Sequence, residues 1–488
     1  MEYETSHKRD IHAINGKLTQ PAERFDTVVI GAGSSGCAAA IEAAKAGGTV
    51  LLVDENPVRG ALMGHDIPLW FGGRMTTAAL NSERMLEAIF TSEPLIESAI
   101  DAGVEVLLGT SAWGIYRNGQ GSAAMPEQAV ALANEERSWL VGFDHLILAT
   151  GARDLAIAFP GWNQPGVMGA RALQMLLTRY DTFAGRRMVV AGTHDLALET
   201  ALLARERGVE VAAIVEVRDQ PQGSLALVAE IEQAGTPIIF GTTIAEAMSG
   251  LEGVTGAILG NGDKITCDTI CMAVGLIPAI ELVDAMHGKT HLDPLRGGFV
   301  PGSNDRISVV GDCAGLKDEG FDHIAYRMDW ARALMATRSP DTIICQCEEV
   351  TQADLIGVQP PRYLERPPAM AARSLETLLA DGPANQDQIK RLTRAGMGVC
   401  QGRRCRDQVA MLLAIESEVL FGTIPLASHR APVRPLPLGV IADWEEQEEM
   451  RTDWDVWLGI PEQWLPYSYI GTPKEDEYYE AIGDGMGL

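Results

Sequence analysis

Short runs that are apolar at every position alternate along this chain with glycine turns and with stretches of helical spacing. The first is Thr27-Val28-Val29-Ile30 after Asp26. Gly31-Ala32-Gly33-Ser34-Ser35-Gly36 breaks it, an alanine-rich segment continues to Gly47, and Thr49-Val50-Leu51-Leu52-Val53 closes on Asp54. A run without polar alternation reads as a strand buried on both faces, and the intervening segment as its crossover helix. The order returns later: Met188-Val189-Val190-Ala191, a helical segment over 196–207, and a strand over 209–215 ending at Glu216. Between these units, 78–102 has a helical apolar side (Leu80, Met85, Ile89, Leu95, Ile100) and 104–108 reads as a strand. Residues 112–142 read as short antiparallel strands around a turn at Gly119 and Gly121. Further strands are predicted at 145–148, across 236–275 with a hairpin at Gly260-Asn261-Gly262-Asp263, and at 306–310. Two strand–helix–strand repeats place the chain in the α/β class, with two Rossmann-like three-layer dinucleotide-binding units.

The glycine turn carries the first chemistry. Gly31 permits the tight turn, Gly33 leaves room for a pyrophosphate against the backbone, and Gly36 lets the helix pack closely. Ser34 opens the helix, whose N-terminus faces the phosphates. Asp54, at the end of the second strand, suits a ribose hydroxyl pair; a glycine-rich turn without a ligand does not explain it. Glu55 and Gly60 follow in a loop that suits a flavin's pyrophosphate side. No Cys-x4-Cys pair follows it, which argues against a flavin–dithiol mechanism there. The strand at 145–148 delivers Ala149-Thr150-Gly151 to the carboxyl edge, where a second segment crosses a bound dinucleotide. The strand at 306–310 delivers Gly311-Asp312, where the carboxylate can bond a flavin's ribityl chain. In the second repeat the turn is Gly192-Thr193-His194-Asp195-Leu196-Ala197. His194 replaces the second glycine and Asp195 adds negative charge, which together oppose a pyrophosphate; NAD(P) binding is doubtful, and His194 reads as a surface turn residue. Cys267 and Cys271 read as unlinked thiols, Cys313 as packing, and His287 and His291 as a solvated loop.

Charge and cysteine usage sharpen this. Among 488 residues, 46% are hydrophobic and 22% charged, which permits a large core, and the net charge of −27 argues against nucleic-acid binding. The polar first residues lack the apolar core of a signal peptide, and no apolar run reaches membrane-spanning length. Four of eight cysteines form two tight pairs, Cys345-Gln346-Cys347 and Cys400-Gln401-Gly402-Arg403-Arg404-Cys405. Two thiolate pairs can hold Zn²⁺ or an iron–sulfur cluster. The one-residue spacer favours the cluster, and Lys390, Arg391, Arg394, Arg403, Arg404 and Arg406 would offset a dianionic centre. A redox disulfide between Cys400 and Cys405 would leave the other pair idle. After residue 440 the chain turns acidic and aromatic, with Trp444, Trp454, Trp457 and Trp464 among glutamates and aspartates. Such a tail suits either a partner protein or the chain's own dinucleotide unit.

Gly31 to Gly36 with Asp54, Ala149 to Gly151, and Gly311-Asp312 together resemble the glutathione reductase-like two-dinucleotide-domain flavoproteins over residues 24–338. The resemblance implies FAD. It also implies an FAD-binding unit made of 24–170 and 290–338 around an NAD(P)-binding-like unit, 171–289, with an arm at 1–23. Residues 341–430 resemble the bacterioferritin-associated ferredoxin-like [2Fe–2S] domain, here with a proline-rich insert at 360–368 and a longer second spacer. The phrase from Thr393 to Cys405, and Arg430-Ala431-Pro432-Val433-Arg434-Pro435-Leu436-Pro437-Leu438, resemble the version fused to FAD subunits of heteromeric amine and amino-acid dehydrogenases. That group takes in the FAD/[2Fe–2S] subunits of opine oxidase, hydrogen cyanide synthase and dye-linked proline dehydrogenase and, more distantly, of sarcosine oxidase. The resemblance makes Cys345, Cys347, Cys400 and Cys405 cluster ligands and 431–488 the tail. It implies a D-amino-acid-oxidase-like flavoprotein beta subunit, with or without a small third subunit. That partner would take a hydride from a substrate C–N bond, an opine first of all, and pass electrons here directly or through an FMN held between subunits. The expected location is the cytoplasm, or the inner membrane face through the complex. Two other readings compete: a self-contained NAD(P)H-dependent reductase, which needs a working turn at Gly192, and a non-catalytic scaffold with structural zinc. No catalytic residue is assigned within this chain.

Overall fold

The structure is a computed structural model that describes residues 16, 18, 20–57, 74–117, 124–302, 306–318, 320–366, 368–442, 469 and 471–477. Gly60, the turn at Gly119 and Gly121, nearly all of the N-terminal arm, Pro367 and most of the tail lie outside the described residues.

The first apolar runs become β1 (Glu23–Ile30), α1 (Ser34–Lys45) and β2 (Val50–Asp54). The predicted helix over 78–102 is two helices, α2 (Ser82–Ser92) and α3 (Leu95–Asp101). Pro94 has no N–H to continue the first, so the chain restarts there. Met85 and Ile89 are buried as expected, whereas Leu80 and Ile100 face solvent. Next come β3 (Glu105–Leu108), β4 (Ser111–Tyr116), β5 (Ala129–Ala133) and β6 (Ser138–Leu148). The sheet order is β3-β2-β1-β6-β5-β4. Strand β6 is long enough to serve two neighbours on one edge. Ser138 to Gly142 pair antiparallel with β5, while Leu146, Ile147 and Leu148 pair parallel with Ile307–Val309, far along the chain. That late strand is what delivers Gly311-Asp312 to the first sheet's carboxyl edge.

The chain then forms β7 (Ala152–Asp154), β8 (Val167–Gly169), α4 (Ala170–Leu177), β9 (Arg187–Ala191), α5 (Asp195–Glu206) and β10 (Glu210–Val215). A second sheet runs Ile238–Ile239, β10, β9, Thr269–Met272, β8. Strand β8 therefore belongs to the second sheet, although it precedes residue 171. Strand β7 pairs antiparallel with Leu276–Pro278 and ties the two units where the chain leaves and re-enters.

One hydrophobic core lies between the units and joins Val29, Leu52 and Ala40 to Leu173, Val190 and Ile214. A second lies under the antiparallel half of the first sheet and takes in Val433. The third covers the far face of the second sheet and runs on without a break into the cysteine segment. Trp162, Ile270, Tyr326 and Trp330 share it with Ile344, Leu355, Leu378, Ile389 and Val409. That segment carries the α-helices Gln352–Ile356, Leu375–Asp381, Gln386–Thr393 and Arg406–Glu416, joined by turns and a short strand pair. Among the described residues no helix is long and apolar enough to cross a membrane.

Candidate dinucleotide cavity and cysteine cluster

The glycine turn is shaped by contacts that tolerate no side chain. Gly31 has φ +107°, and a Cβ there would stand 2.2 Å from the Ala149 carbonyl oxygen, so the turn touches the end of β6 directly. A Cβ on Gly36 would stand 1.9 Å from the Gly31 oxygen, which fixes how closely α1 starts behind the turn. Around Gly33 nothing lies within 4 Å of a Cβ, and this glycine borders a cavity of about 600 Å³. Asp54 secures the arrangement: its Oδ2 accepts from the Ala32 N–H at 2.7 Å and its Oδ1 from the Asn56 N–H at 2.8 Å.

The structure brings Gly31, Gly33, Ser34, Gly36, Asp54, Glu55, Ala149, Thr150, Gly151, Gly311 and Asp312 to the walls of that one cavity. Thr150 donates its hydroxyl to the Ala279 carbonyl at 2.8 Å, and Asp312 pairs with Arg171 at 3.2 Å. The open cradle at Gly33, the α1 N-terminus behind it and a volume within the usual ligand range suit a flavin dinucleotide.

Other walls escaped the sequence reading. Trp162, Arg153, Glu281, Arg403, Arg404, Val433 and Arg434 also line the cavity. Arg403 and Arg404 were visible only as charges beside cysteines, Arg153 only as the residue after Ala-Thr-Gly-Ala, and Glu281 carried no signal. Arg153 is the junction. It ion-pairs with buried Glu281, donates through Nε to the Arg403 carbonyl at 2.6 Å, and lies 3.4 Å from the Asp407 carboxylate. Burial alone would raise the Glu281 carboxyl, but Arg153, with His429, Arg434 and Arg403, holds it well below the usual carboxylate range. Arg404 hydrogen-bonds the Gln346 side chain and lies over the Trp162 ring at 5.1 Å, and Trp162 donates to the Ile343 carbonyl at 2.7 Å. The loop between the second cysteine pair thus forms part of the cavity wall.

The four cysteines themselves come together as two interacting thiol pairs, Cys345 with Cys405 and Cys347 with Cys400. Cys345, Cys400 and Cys405 are buried and Cys347 is partly exposed. The hydrogen bond from Cys405 lowers the Cys345 thiol against the opposing effect of burial, and the Gly396 N–H adds to this from 3.4 Å. Among the described residues no three His, Cys, Asp or Glu side chains are already set as a metal cage. The loop around the thiols is tightly curled, with positive φ at Arg394, Gly396, Gln401 and Gly402.

The remaining thiols are unpaired, as the sequence suggested for Cys267 and Cys271. Burial pushes Cys37, Cys267 and Cys313 up to about 12 each, which makes them poor nucleophiles. His287 and His291 are exposed.

At the second turn, His194 is not the surface residue the sequence suggested. It is half-buried and stacks on Phe321 with ring centroids 3.9 Å apart. The groups that would face a pyrophosphate are already satisfied within the chain. Thr193 N–H donates to the Tyr326 hydroxyl at 3.1 Å, and that hydroxyl donates to buried Glu216 at 2.7 Å. Asp195 accepts from the Ser224 N–H at 2.6 Å, which draws the following loop over the turn.

The A subunit of opine oxidase from Agrobacterium tumefaciens (strain Ach5) is 24% identical, over 87% of this chain and 92% of its own length. The HcnB subunit of hydrogen cyanide synthase from Pseudomonas aeruginosa is 26% identical, over 78% of this chain and 90% of its own. The alpha subunit of sarcosine oxidase from Rhizobium meliloti (strain 1021) is 26% identical over 85% of this chain, which spans only 42% of that longer protein. Among solved structures, L-proline dehydrogenase from P. horikoshii superposes with a TM-score of 0.56 at 19% identity, covering 86% of this chain and 80% of that one. Residues 25–338 match the family described as pyridine nucleotide-disulphide oxidoreductase. With most of its length inside that match, the chain belongs to the pyridine nucleotide-disulphide oxidoreductase family of flavoprotein oxidoreductases.

Proposed function

We propose that this chain is the FAD- and [2Fe–2S]-containing electron-transfer subunit of a heteromeric amine or amino-acid dehydrogenase, with opines as the first substrate class. The observation that carries the proposal is the shared wall. The walls of one cavity include both the dinucleotide turn and Arg403 and Arg404 from between the cysteines. The near full-length likeness to the opine oxidase relative supports the substrate class.

Bound FAD would supply acceptance of electrons in pairs and their release singly. The chain's residues would hold it. Gly33 leaves the backbone open to the pyrophosphate, Asp54 and Glu55 stand at the ribose end, and Thr150, Gly311 and Asp312 line the passage toward Trp162. Cys345, Cys347, Cys400 and Cys405 would hold the cluster, with the Gly396 N–H and the surrounding arginines offsetting its charge. Among the described residues, four carboxylates on the cavity wall are already engaged within the chain. Asp154 accepts from the Arg171 and Ala172 N–H groups, while Glu55, Glu281 and Asp312 each face an arginine. C–N oxidation is therefore assigned to a partner, a D-amino-acid-oxidase-like flavoprotein, with an FMN between the two proteins as a further carrier. The filled turn at Gly192 leaves NAD(P) outside this proposal.

The test is mass spectrometry of the complex isolated through this chain, with an absorption spectrum of the same sample. A co-purifying amino-acid-oxidase-like protein with flavin and iron–sulfur bands is the expected result. A lone chain whose flavin bleaches with NADH would replace the proposal with the self-contained reductase.

A further inference from the structure

The segment that follows the cysteine cluster returns to the dinucleotide cavity, and it does so under tight restraint. His429 is buried. Its N–H donates to Asp284 at 2.9 Å, and Arg406 lies 2.6 Å from its Nδ1 and 2.9 Å from the same carboxylate. Four residues on, the Val433 N–H donates to the Trp113 carbonyl at 2.8 Å, and its own carbonyl accepts from Arg403. Arg434 then donates through Nε to Glu55 at 2.8 Å, with Val433 and Arg434 both on the cavity wall. Glu55 follows the last residue of β2, and in a doubly wound sheet the adenosine half of a dinucleotide lies outside the carboxyl end of that strand.

We infer that residues 428–434 form a strap that closes the adenosine end of the cavity, and that Arg434 is a recognition residue for the adenosine half of the bound dinucleotide. The inference rests on the dinucleotide reading of the cavity and goes beyond it, because residue 434 lies far outside the segment that matches the family. Three features give Arg434 this role. Its charge offsets Glu55, which would otherwise repel a pyrophosphate. Its guanidinium is planar and suited to stacking on a heteroaromatic ring. Its backbone is anchored just before it, by the two hydrogen bonds of Val433, so less freedom is lost when a ligand arrives.

The test uses the full chain stripped of nucleotide and titrated separately with FAD and with FMN, which lacks the adenosine half, following flavin fluorescence. Wild-type protein should favour FAD over FMN. Arg434→Ala should narrow that preference roughly tenfold, with FMN binding unchanged. Arg434→Lys, which keeps the charge without the plane, should recover part of it. General damage to the fold would weaken both flavins alike, so an unchanged FAD-to-FMN preference in both variants overturns the inference. Wild-type protein that binds neither flavin overturns the dinucleotide reading itself, and this inference with it.

Discussion

Three glycines within one turn do three different jobs, and their surroundings separate them. Gly31 and Gly36 are held by backbone contact, Gly33 by a ligand-sized opening. Gly33→Val should therefore purify folded but without flavin, since its side chain meets only the cavity; the flavin-to-protein absorbance ratio reads this. Gly31→Ala should instead destabilise the fold, by about 1–3 kcal/mol or more in chemical denaturation, because its Cβ collides with backbone that cannot rotate away. His429 supplies a pH dependence. Burial, and then the neighbouring Arg406, lowers it from 6.5 to about 4. The unfolded chain thus binds a proton that the folded one refuses between those values, so stability falls as pH drops from about 6.5 to about 4. His429→Gln should show a shallower decline of melting temperature across that window.

At the level of elements, what joins the cysteine segment to the dinucleotide fold is a buried ionic junction plus a continuous core. Arg153→Met would remove the nearest cation of Glu281 and Asp407, and because Arg403, Arg434 and His429 remain around Glu281 the cost should fall below the roughly 3–5 kcal/mol of a fully stranded buried charge. A denaturation cycle with Glu281→Gln should recover part of the loss, whereas additive losses would mean the pair is not coupled. If the cysteines hold the proposed cluster, Cys400→Ser should remove iron while FAD stays, because the glycine turn and β6 form their contacts without the cysteines. Metal analysis and the flavin spectrum of one sample distinguish the two. The strands and turns around the cavity were legible because fully apolar runs next to glycines leave few alternatives. The break at Pro94 was visible in principle. The second sheet's claim on β8 was not, since a three-residue strand carries no period.

For the whole molecule, the two nucleotide units are unequal although their backbones repeat. The first keeps an opening at Gly33, while the second is filled by Tyr326, Phe321 and the loop held by Asp195. NADH should therefore leave the flavin of the isolated chain oxidised over many minutes, and bleaching on the catalytic time scale would show that the second turn opens.

The sequence by itself determined the two dinucleotide folds, the turn that opens to a ligand, the residues that meet there and the paired cysteines. These follow from local rules: backbone conformations only glycine adopts, strands buried on both faces, and spacings short enough to be read along the chain. It also flagged His194 as an obstacle at the second turn. The tertiary structure alone decided that the loop between Cys400 and Cys405 walls the same cavity as the glycine turn, that Arg153 joins that loop to Glu281, and that Arg434 comes back to Glu55. Those contacts join residues 128 to 379 positions apart. They arise from packing between segments distant along the chain, the cysteine segment on the second sheet's core and Val433 on the first sheet's, and packing of that kind leaves no period or spacing in the sequence to announce it.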